Sequence, residues 1–521
     1  MLKHEKFFYP LIVFLFAFIL YFPSIKSPLI LDESYFIQRN QVPALADSPS
    51  LFNKKSYDGY YYRPLPNFIS GISTLFFKYD VPYYRVFNII LHALASVLVY
   101  YFFFLLLKDN PQKNLIAFFA ALFFAGFPIH DYAVIWITDL FERVMIIFYL
   151  AGLIAFIRKG FKPGLYSMLL FAMSLLSKEM AFSFPLIIVL LYFFFGEKKF
   201  NIKQSIYAFL PYLIIMAVFI LLRIILFNND VFTAKDAHSA GTLMDVVKNY
   251  FVFSGLLVFP FFLRELQSLL ITHKLLAAVI GIIAASGILY LILHRKKKDT
   301  TIFFFILFVI LTIAPASRLL MRWYLYLPSV GFTGLISYLI FSINYKRLKL
   351  PLIVSIAVLV IYSIALLHEE INWVKYSSDS VTALKEFIQQ NKKEIEKTKQ
   401  AEFLTIPAKI DDVPVFQLSF DKLFNFYFGD SSKINVKVDS KSYLANFSDP
   451  VPLTKSGNYI ELRQIDNNYF ILFNNGKNIN FAQVKNRNNN IQSLTFNKSE
   501  LKNKILYTFS NGKFYKIKGI E

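Results

Sequence analysis

Residues 1–24, MLKHEKFFYPLIVFLFAFILYFPS, put Lys3 and Lys6 ahead of an apolar run. A cleavable export signal shares that basic start and apolar middle, but it ends in a small-residue cleavage site, and none follows here. The stretch is therefore expected to be a retained first membrane span. It sets the pattern of the chain, in which 56% of 521 residues are hydrophobic, 17% are charged, and 60 Phe lie in runs too long for ordinary core helices. Apolar stretches read as spans lie near residues 7–24, 86–107, 114–130, 141–157, 164–177, 180–196, 205–227, 274–294, 301–316, 323–343 and 350–368, eleven in all. The fold expected is a polytopic α-helical membrane protein.

The formal net charge of +21 does not point to nucleic acid, because the Lys and Arg lie mostly in short loops between apolar runs rather than on a basic face interleaved with aromatics. Lys3 and Lys6, Lys108 and Lys113, RKGFK (158–162), EKKFNIK (197–203), HRKKK (294–298) and YKRLK (345–349) all fall on one side only if residues 250–263, YFVFSGLLVFPFFL, do not cross. That segment is short for a span and carries Pro260, so a re-entrant or interfacial position is expected. The positive-inside rule then places the N-terminus in the cytoplasm and the C-terminal part outside, as in a bacterial inner membrane protein of the cell envelope. Cysteine is absent, which excludes disulfides and thiolate metal sites.

Three regions follow: a membrane domain over 1–369 with an exported loop at 25–84, a helical linker at 370–400, and an exported β-rich domain at 401–521. In the last, short alternating runs such as EFLTIP, INVKV, NYIELRQI and ILYTFSNGKFYKI are expected to form strands, with hairpin turns at Asn475-Gly476 and Asn511-Gly512.

Positive-inside bias does not explain the charges at the outer ends of the spans. They are Asp32 and Glu33 in LDES, Arg63 in YYYRPLPNF, His130 and Asp131 in FPIHDYAVIW, Asp139, Glu142 and Arg143 in ITDLFERV, Lys178 and Glu179 in LLSKEM, Arg223, and Arg318 and Arg322 in ASRLLMRWYLYLP. The topology sends all of them to one membrane face, where carboxylates and cations would suit a headgroup carrying phosphate. Plainer roles exist for each: a helix-start acid pair for Asp32 and Glu33, a polar helix end for His130, a local ion pair for Lys178 and Glu179, and snorkelling cations on one helical face for Arg318 and Arg322.

Taken in order, LDES, YYRPLPNFISGISTLFF, VPYYRVFNIILHALASVLVY, FPIHDYAVIWITDLFERVMIIFYLAGLIAF, LLSKEMAFSFPLIIVLLYFFF and RWYLYLPSVGF resemble the GT-C membrane glycosyltransferases. The likeness is to the branch holding protein O-mannosyltransferases and the transmembrane proteins with tetratricopeptide tails, and it covers about residues 1–345. It implies an inverting enzyme of GT-C fold that takes a sugar from a polyprenyl-phosphate carrier and gives it to an acceptor at the non-cytoplasmic face. Asp32 would then be the general base, Glu33 would orient it or the acceptor, and Asp131 would be the second acidic site. Arg63, Arg143, Lys178 and Arg322 would hold the carrier phosphate, with His130, Glu179 and Arg318 as further substrate-binding residues. This chain lacks the tetratricopeptide tail, and its TDLFER segment lacks the relatives' Gly-Arg-Ala-Asp order.

The residue types fit that chemistry. A hydroxyl is a poor nucleophile at neutral pH and needs a carboxylate to take its proton, while a departing phosphate needs cations as its charge grows. A single displacement needs one base and no covalent glycosyl enzyme. Few His and no Cys leave Mg²⁺ or Mn²⁺ on carboxylates as the metals to consider. The implied partners are the polyprenyl-phosphate sugar, a protein, lipid or glycan acceptor, and membrane lipids. Two rival readings remain at this point, a lipid-linked sugar flippase or transporter and a non-catalytic membrane scaffold.

Overall fold

A computed structural model describes residues 5–53, 61–196, 202–227, 243–258, 300–318, 320–342, 346–410, 413–416, 419–429, 434–456, 458–465, 468–472, 481–487, 490–498 and 505–517. The chain divides into two compact units, one of Met1–Pro23, Val42–Ser73 and Tyr83–His368 and one of Ser24–Gln41, Thr74–Pro82 and Glu369–Glu521. The helices in chain order are α1 (Glu5–Tyr21), α2 (Glu33–Asn40), α3 (Pro64–Phe77), α4 (Val81–Leu106), α5 (Lys113–Ala125), α6 (Asp131–Ile135), α7 (Leu140–Arg158) and α8 (Leu165–Leu175). There follow α9 (Phe184–Phe195), α10 (Ile202–Phe227), α11 (Leu243–Val258), α12 (Thr300–Ile313), α13 (Pro328–Ser342), α14 (Lys346–Thr398) and α15 (Phe420–Phe428).

In the first unit, apolar side chains occupy both faces of the helices. Val13, Ala17 and Tyr21, four residues apart on α1, are fully buried, while Phe7, Leu11, Leu15 and Ile19 on other faces are 46–80% exposed. On α10, Tyr212 is buried, whereas Ile214, Val218, Leu221 and Ile225 face outward. A helix in water would turn polar residues outward; one in lipid has no reason to. Several helices of this kind mark a membrane protein.

Four of the eleven expected spans are helices long and apolar enough to cross a bilayer: Phe7–Lys26, Val81–Leu106, Ile137–Arg158 and Ser205–Leu226. A fifth arises if Lys113–Ala125 and Pro128–Ile135, bent by 50°, form one broken span. Four more stretches give the shorter apolar helices Leu165–Leu175, Glu179–Phe195, Thr300–Ala316 and Pro328–Phe341, so the described residues do not establish eleven crossings. At 1.5 Å per residue, an 11-residue helix such as α8 is only about 16 Å long against a hydrocarbon core of about 30 Å. Residues 274–294 lie outside the described residues, 350–368 form part of α14, and the segment at 250–263 is helical up to Val258, beyond which it too lies outside them. Close packing inside the unit depends on small residues: a Cβ at Gly331 of α13 would lie 2.7 Å from the Phe308 ring of α12.

In the second unit, ten strands are described: β1 (Gln400–Ile410), β2 (Val413–Pro414), β3 (Asn435–Leu444), β4 (Leu453–Ser456), β5 (Tyr459–Arg463), β6 (Tyr469–Leu472), β7 (Phe481–Arg487), β8 (Asn490–Asn497), β9 (Leu506–Ser510) and β10 (Lys513–Lys516). They form one sheet of order β10-β9-β1-β3-β6-β8-β5-β4, with β2 on β1 and β7 on β8. β1 is parallel to both its neighbours, β3 and β9, and the other pairs are antiparallel. Being central and parallel, β1 is buried over nearly its whole length, Phe403 to Ala408 included. Pro407 inside it cannot donate to a neighbour, and the β1–β3 register shifts between Pro407 and Lys409. The Asn511-Gly512 hairpin is present: Ser510 faces Lys513, and both turn residues have positive φ, 49° and 72°. Asn475-Gly476 lies outside the described residues. Phe387 of α14 and Phe420 and Phe424 of α15 pack on the β1 ring of Phe403.

Candidate active site

Asp32 and Glu33 stand at the start of α2 in the second unit, one 5% exposed and the other fully buried. Leu31 precedes them with φ 51°, a left-handed conformation that costs a side-chain-bearing residue energy and needs holding. Glu33 supplies the hold, as its Oε2 accepts from the Ile30 N–H at 2.7 Å and its own N–H donates to the Ile30 carbonyl at 3.1 Å. Asp32 is the N-cap residue, yet its side chain makes no capping bond to the helix. Within the same unit α2 rests on α15 through Gln38 Nε2, which donates to the Lys422 carbonyl at 2.7 Å.

The other predicted residues belong to the first unit, and five of them, Arg63, Asp131, Lys178, Glu179 and Arg322, enter three ion networks. In the first, Arg63 donates from Nε (3.0 Å) and Nη2 (2.8 Å) to Oε2 of Glu179, and Arg223 Nη1 lies 3.5 Å from the other oxygen. The Arg63 guanidinium also covers the rings of Tyr61 and Phe141 at 4.4 and 4.8 Å. Burial works most strongly against its charge, but Glu179 together with Tyr324 and Tyr61 outweighs burial and holds Arg63 above the usual arginine range. Two guanidinium groups thus share one carboxylate.

The second network places Lys178 Nζ 2.5 Å from Glu142 Oε1 and 3.4 Å from Asp139 Oδ1, all three side chains buried. The Tyr324 ring covers the ammonium at 4.8 Å. Here one cation serves two carboxylates, and Asp139 Oδ2 and Glu142 Oε2 are buried without a hydrogen bond. The charge of Arg63 reaches both carboxylates, so the first two networks are electrostatic neighbours. In the third, Arg322 Nη2 lies 3.3 Å from Asp131 Oδ1.

The remaining predicted residues have other surroundings. Arg143 is fully buried, and its guanidinium serves the backbone: Nη1 donates to the carbonyls of Ala133 and Val134, and Nη2 to those of Trp136 and Ile137 and to Asn88 Oδ1 at 2.8 Å. Arg85 joins it by donating to the Ile135 carbonyl. Gly126 and Pro128 end α5, so the chain between 126 and 139 runs in short turns whose carbonyls lack helical partners, and these two arginines supply donors. His130 is fully buried among Phe124, Phe127 and Tyr326, with Nε2 2.8 Å from Ser329 Oγ. Arg318 is exposed, and because Ser317 and Arg318 lie in a turn and Arg322 begins a separate short 3-10 helix, the expected shared helical face does not form. No group of three or more His, Asp or Glu side chains among the described residues could hold a metal ion.

Arg85 and Asn88 gave no signal in the sequence beyond their place at the outer end of a span, and only the tertiary path of residues 133–137 shows their use. Arg223, Asp139 and Glu142 were visible as outer-end charges, and the ion pairs assign their partners.

No known family's sequence pattern matches the chain. Over 118 residues, 23% of this chain, it is 35% identical to a Caenorhabditis elegans protein named as a protein O-mannosyl-transferase. The aligned part is 17% of that protein's length, so the likeness is partial and is to a glycosyltransferase.

Proposed function

We propose that this chain is an integral-membrane inverting glycosyltransferase of the GT-C kind, moving a sugar from a polyprenyl-phosphate carrier to an acceptor hydroxyl at the non-cytoplasmic face. The Arg63–Glu179–Arg223 network supports this most: it gathers two guanidinium groups about one carboxylate, and guanidinium groups suit phosphate. Partial identity to a protein named for O-mannosyl transfer supports the same reaction class.

In this reading the acceptor hydroxyl gives up its proton to a base, the role that the sequence resemblance gives to Asp32, as its oxygen attacks the anomeric carbon. The bond from that carbon to the phosphate oxygen breaks, and its electron pair leaves with the polyprenyl phosphate, whose growing charge Arg63 and Arg223 meet. Glu33 keeps Asp32 in place through its hold on the Ile30 turn. Asp131, paired with Arg322, orients the acceptor. Lys178 balances Asp139 and Glu142 beside the phosphate cations.

The test is transfer from polyprenyl-phosphate mannose to Ser/Thr peptides and to membrane glycans by the purified protein. Asp32→Asn keeps size and removes the base, and is expected to lower turnover about a hundred- to ten-thousand-fold while insertion and carrier binding stay near wild type. Arg63→Gln is expected to weaken carrier binding. Wild-type turnover by Asp32→Asn would move the base elsewhere, and Asp131 would be the next residue to change.

A further inference from the structure

Helix α2, which begins with Glu33 and follows Asp32, has eight residues. An isolated helix shorter than about 12–15 residues is marginal in water, so α2 is held by what it packs against rather than by itself. Among the described residues the element it packs on most is α15, and Gln38 Nε2 fixes that contact by donating to the Lys422 carbonyl at 2.7 Å. Lys422 lies 384 residues further along the chain, so this support comes from the C-terminal part of the second unit.

The build of α15 suits a strut. Its Phe420, Leu423, Phe424 and Phe428 are buried at helical spacing, and Phe420 and Phe424 meet the β1 ring of Phe403. Phe426 lies off that stripe, on the flank it shares with Lys422 four residues earlier, and it is still only 4% exposed. Its ring meets that of Tyr79 edge-on, with centroids 5.0 Å apart. Asn425 ties the helix to the chain entering β3, donating to the Ile434 carbonyl at 3.1 Å and accepting from the Ile434 N–H at 2.9 Å. Helix α15 is therefore fixed to the sheet on one face and meets the segments 24–41 and 74–82 on another, all within the second unit.

We propose that α15 is the positioning element of the acidic pair: the C-terminal sheet, through α15, holds α2 and with it Asp32 in the placement the reaction needs, and Gln38 and Phe426 are positioning residues. This rests on the reading of Asp32 as the base. A misplacement of about 1 Å costs on the order of a hundredfold in rate, so the grip of a distant part of the chain on a short helix has a kinetic consequence.

The experiment uses the full-length protein in detergent micelles as wild type, Gln38→Met, Phe426→Ala and Asp32→Asn. Methionine matches glutamine in length and helix propensity, so Gln38→Met removes the donor alone. Amide hydrogen exchange at residues 33–40, read by mass spectrometry, is expected to quicken about fivefold or more in Gln38→Met and in Phe426→Ala while β1 stays protected. With polyprenyl-phosphate mannose and Ser/Thr peptides, Gln38→Met is expected to lower kcat about tenfold or more and to leave KM for the carrier unchanged. Added to Asp32→Asn it is expected to lower turnover no further, a result that loss of overall stability would not reproduce. Unchanged exchange at 33–40 in Gln38→Met overturns the proposal, whether or not Phe426→Ala folds, and so does wild-type kcat in Gln38→Met where Asp32→Asn is inactive. Wild-type turnover by Asp32→Asn overturns the assignment of the base instead, and the support of α2 by α15 then stands or falls on the exchange rates.

Discussion

At the level of single residues, Lys441 and Arg143 show two outcomes for a buried cation. Burial pushes the Lys441 amine down to about 8, with Asp421 opposing part of that shift. Below that pH the amine is charged in both the folded and unfolded states, and folding bears the whole cost of burying it. Between about 8 and the ordinary lysine value of 10.5 the unfolded chain binds more protons than the folded one, so stability rises with pH across that window. Thermal unfolding of the sheet followed by circular dichroism should therefore show the wild type gaining on Lys441→Met from pH 8 to 10.5; parallel profiles would contradict it. Arg143 instead donates from Nη1 and Nη2 to several carbonyls. Lysine in its place cannot fan across them, so Arg143→Lys should cost on the order of 3 kcal/mol, read as a lowered melting temperature in detergent. Arg143 was visible in the sequence as an outer-end cation, whereas Lys441 lies outside the alternating runs singled out there. What each one faces was not, because the carbonyls of 133–137 and the first turn of α15 reach them only through the tertiary fold.

Elements written by short-range chemistry were the most legible. Asn511-Gly512 forms the hairpin its residue types require, and the apolar runs at 7–24, 86–107 and 205–227 are long helices. The hairpin is sensitive at Gly512, whose φ is 72° and where a Cβ would lie 2.8 Å from the Phe447 ring. Gly512→Ala should destabilise the sheet by about 1–3 kcal/mol, measurable as a lower unfolding midpoint in urea. α15 was not singled out in the sequence, although the buried Phe420, Leu423, Phe424 and Phe428 of FDKLFNFYF follow a helical period. The parallel placing of β1 between β3 and β9 joins segments more than 30 and 100 residues apart, which no local pattern encodes. The breaks near 130–141 and 177–180 were legible as gaps between apolar runs, but the start of the first at Gly126 was not, since buried Arg143 and Arg85 satisfy its freed carbonyls from elsewhere in the fold.

At the scale of the whole molecule, charge distribution gives the expected orientation. Lys and Arg concentrate at 108–113, 158–162 and the start of α14, while the ion networks that combine both signs lie at the other ends of the helices, around Arg63, Asp131, Lys178 and Arg322. Uncompensated positive charge resists transfer across the membrane, whereas paired charges do not decide orientation. The helix α14 carries this distinction along its own length: Lys346, Arg347 and Lys349 precede an apolar stretch over 350–368, after which the helix becomes polar and mixed in sign up to Thr398. About 20 residues suffice to cross a bilayer, so a crossing at 350–368 is expected to leave the polar remainder of its 53 residues on the side opposite the basic start. The sheet that follows should therefore be exported and HRKKK (294–298) should remain cytoplasmic. In a bacterial host, alkaline phosphatase fused after residue 400 should be active and the same enzyme fused after residue 298 inactive. The reverse pattern would put the C-terminal sheet in the cytoplasm, and with it Asp32, which belongs to the same compact unit. An acceptor outside the cell would then be beyond the reach of the proposed base, so this pair of fusions tests the direction of the membrane and the side of the reaction together.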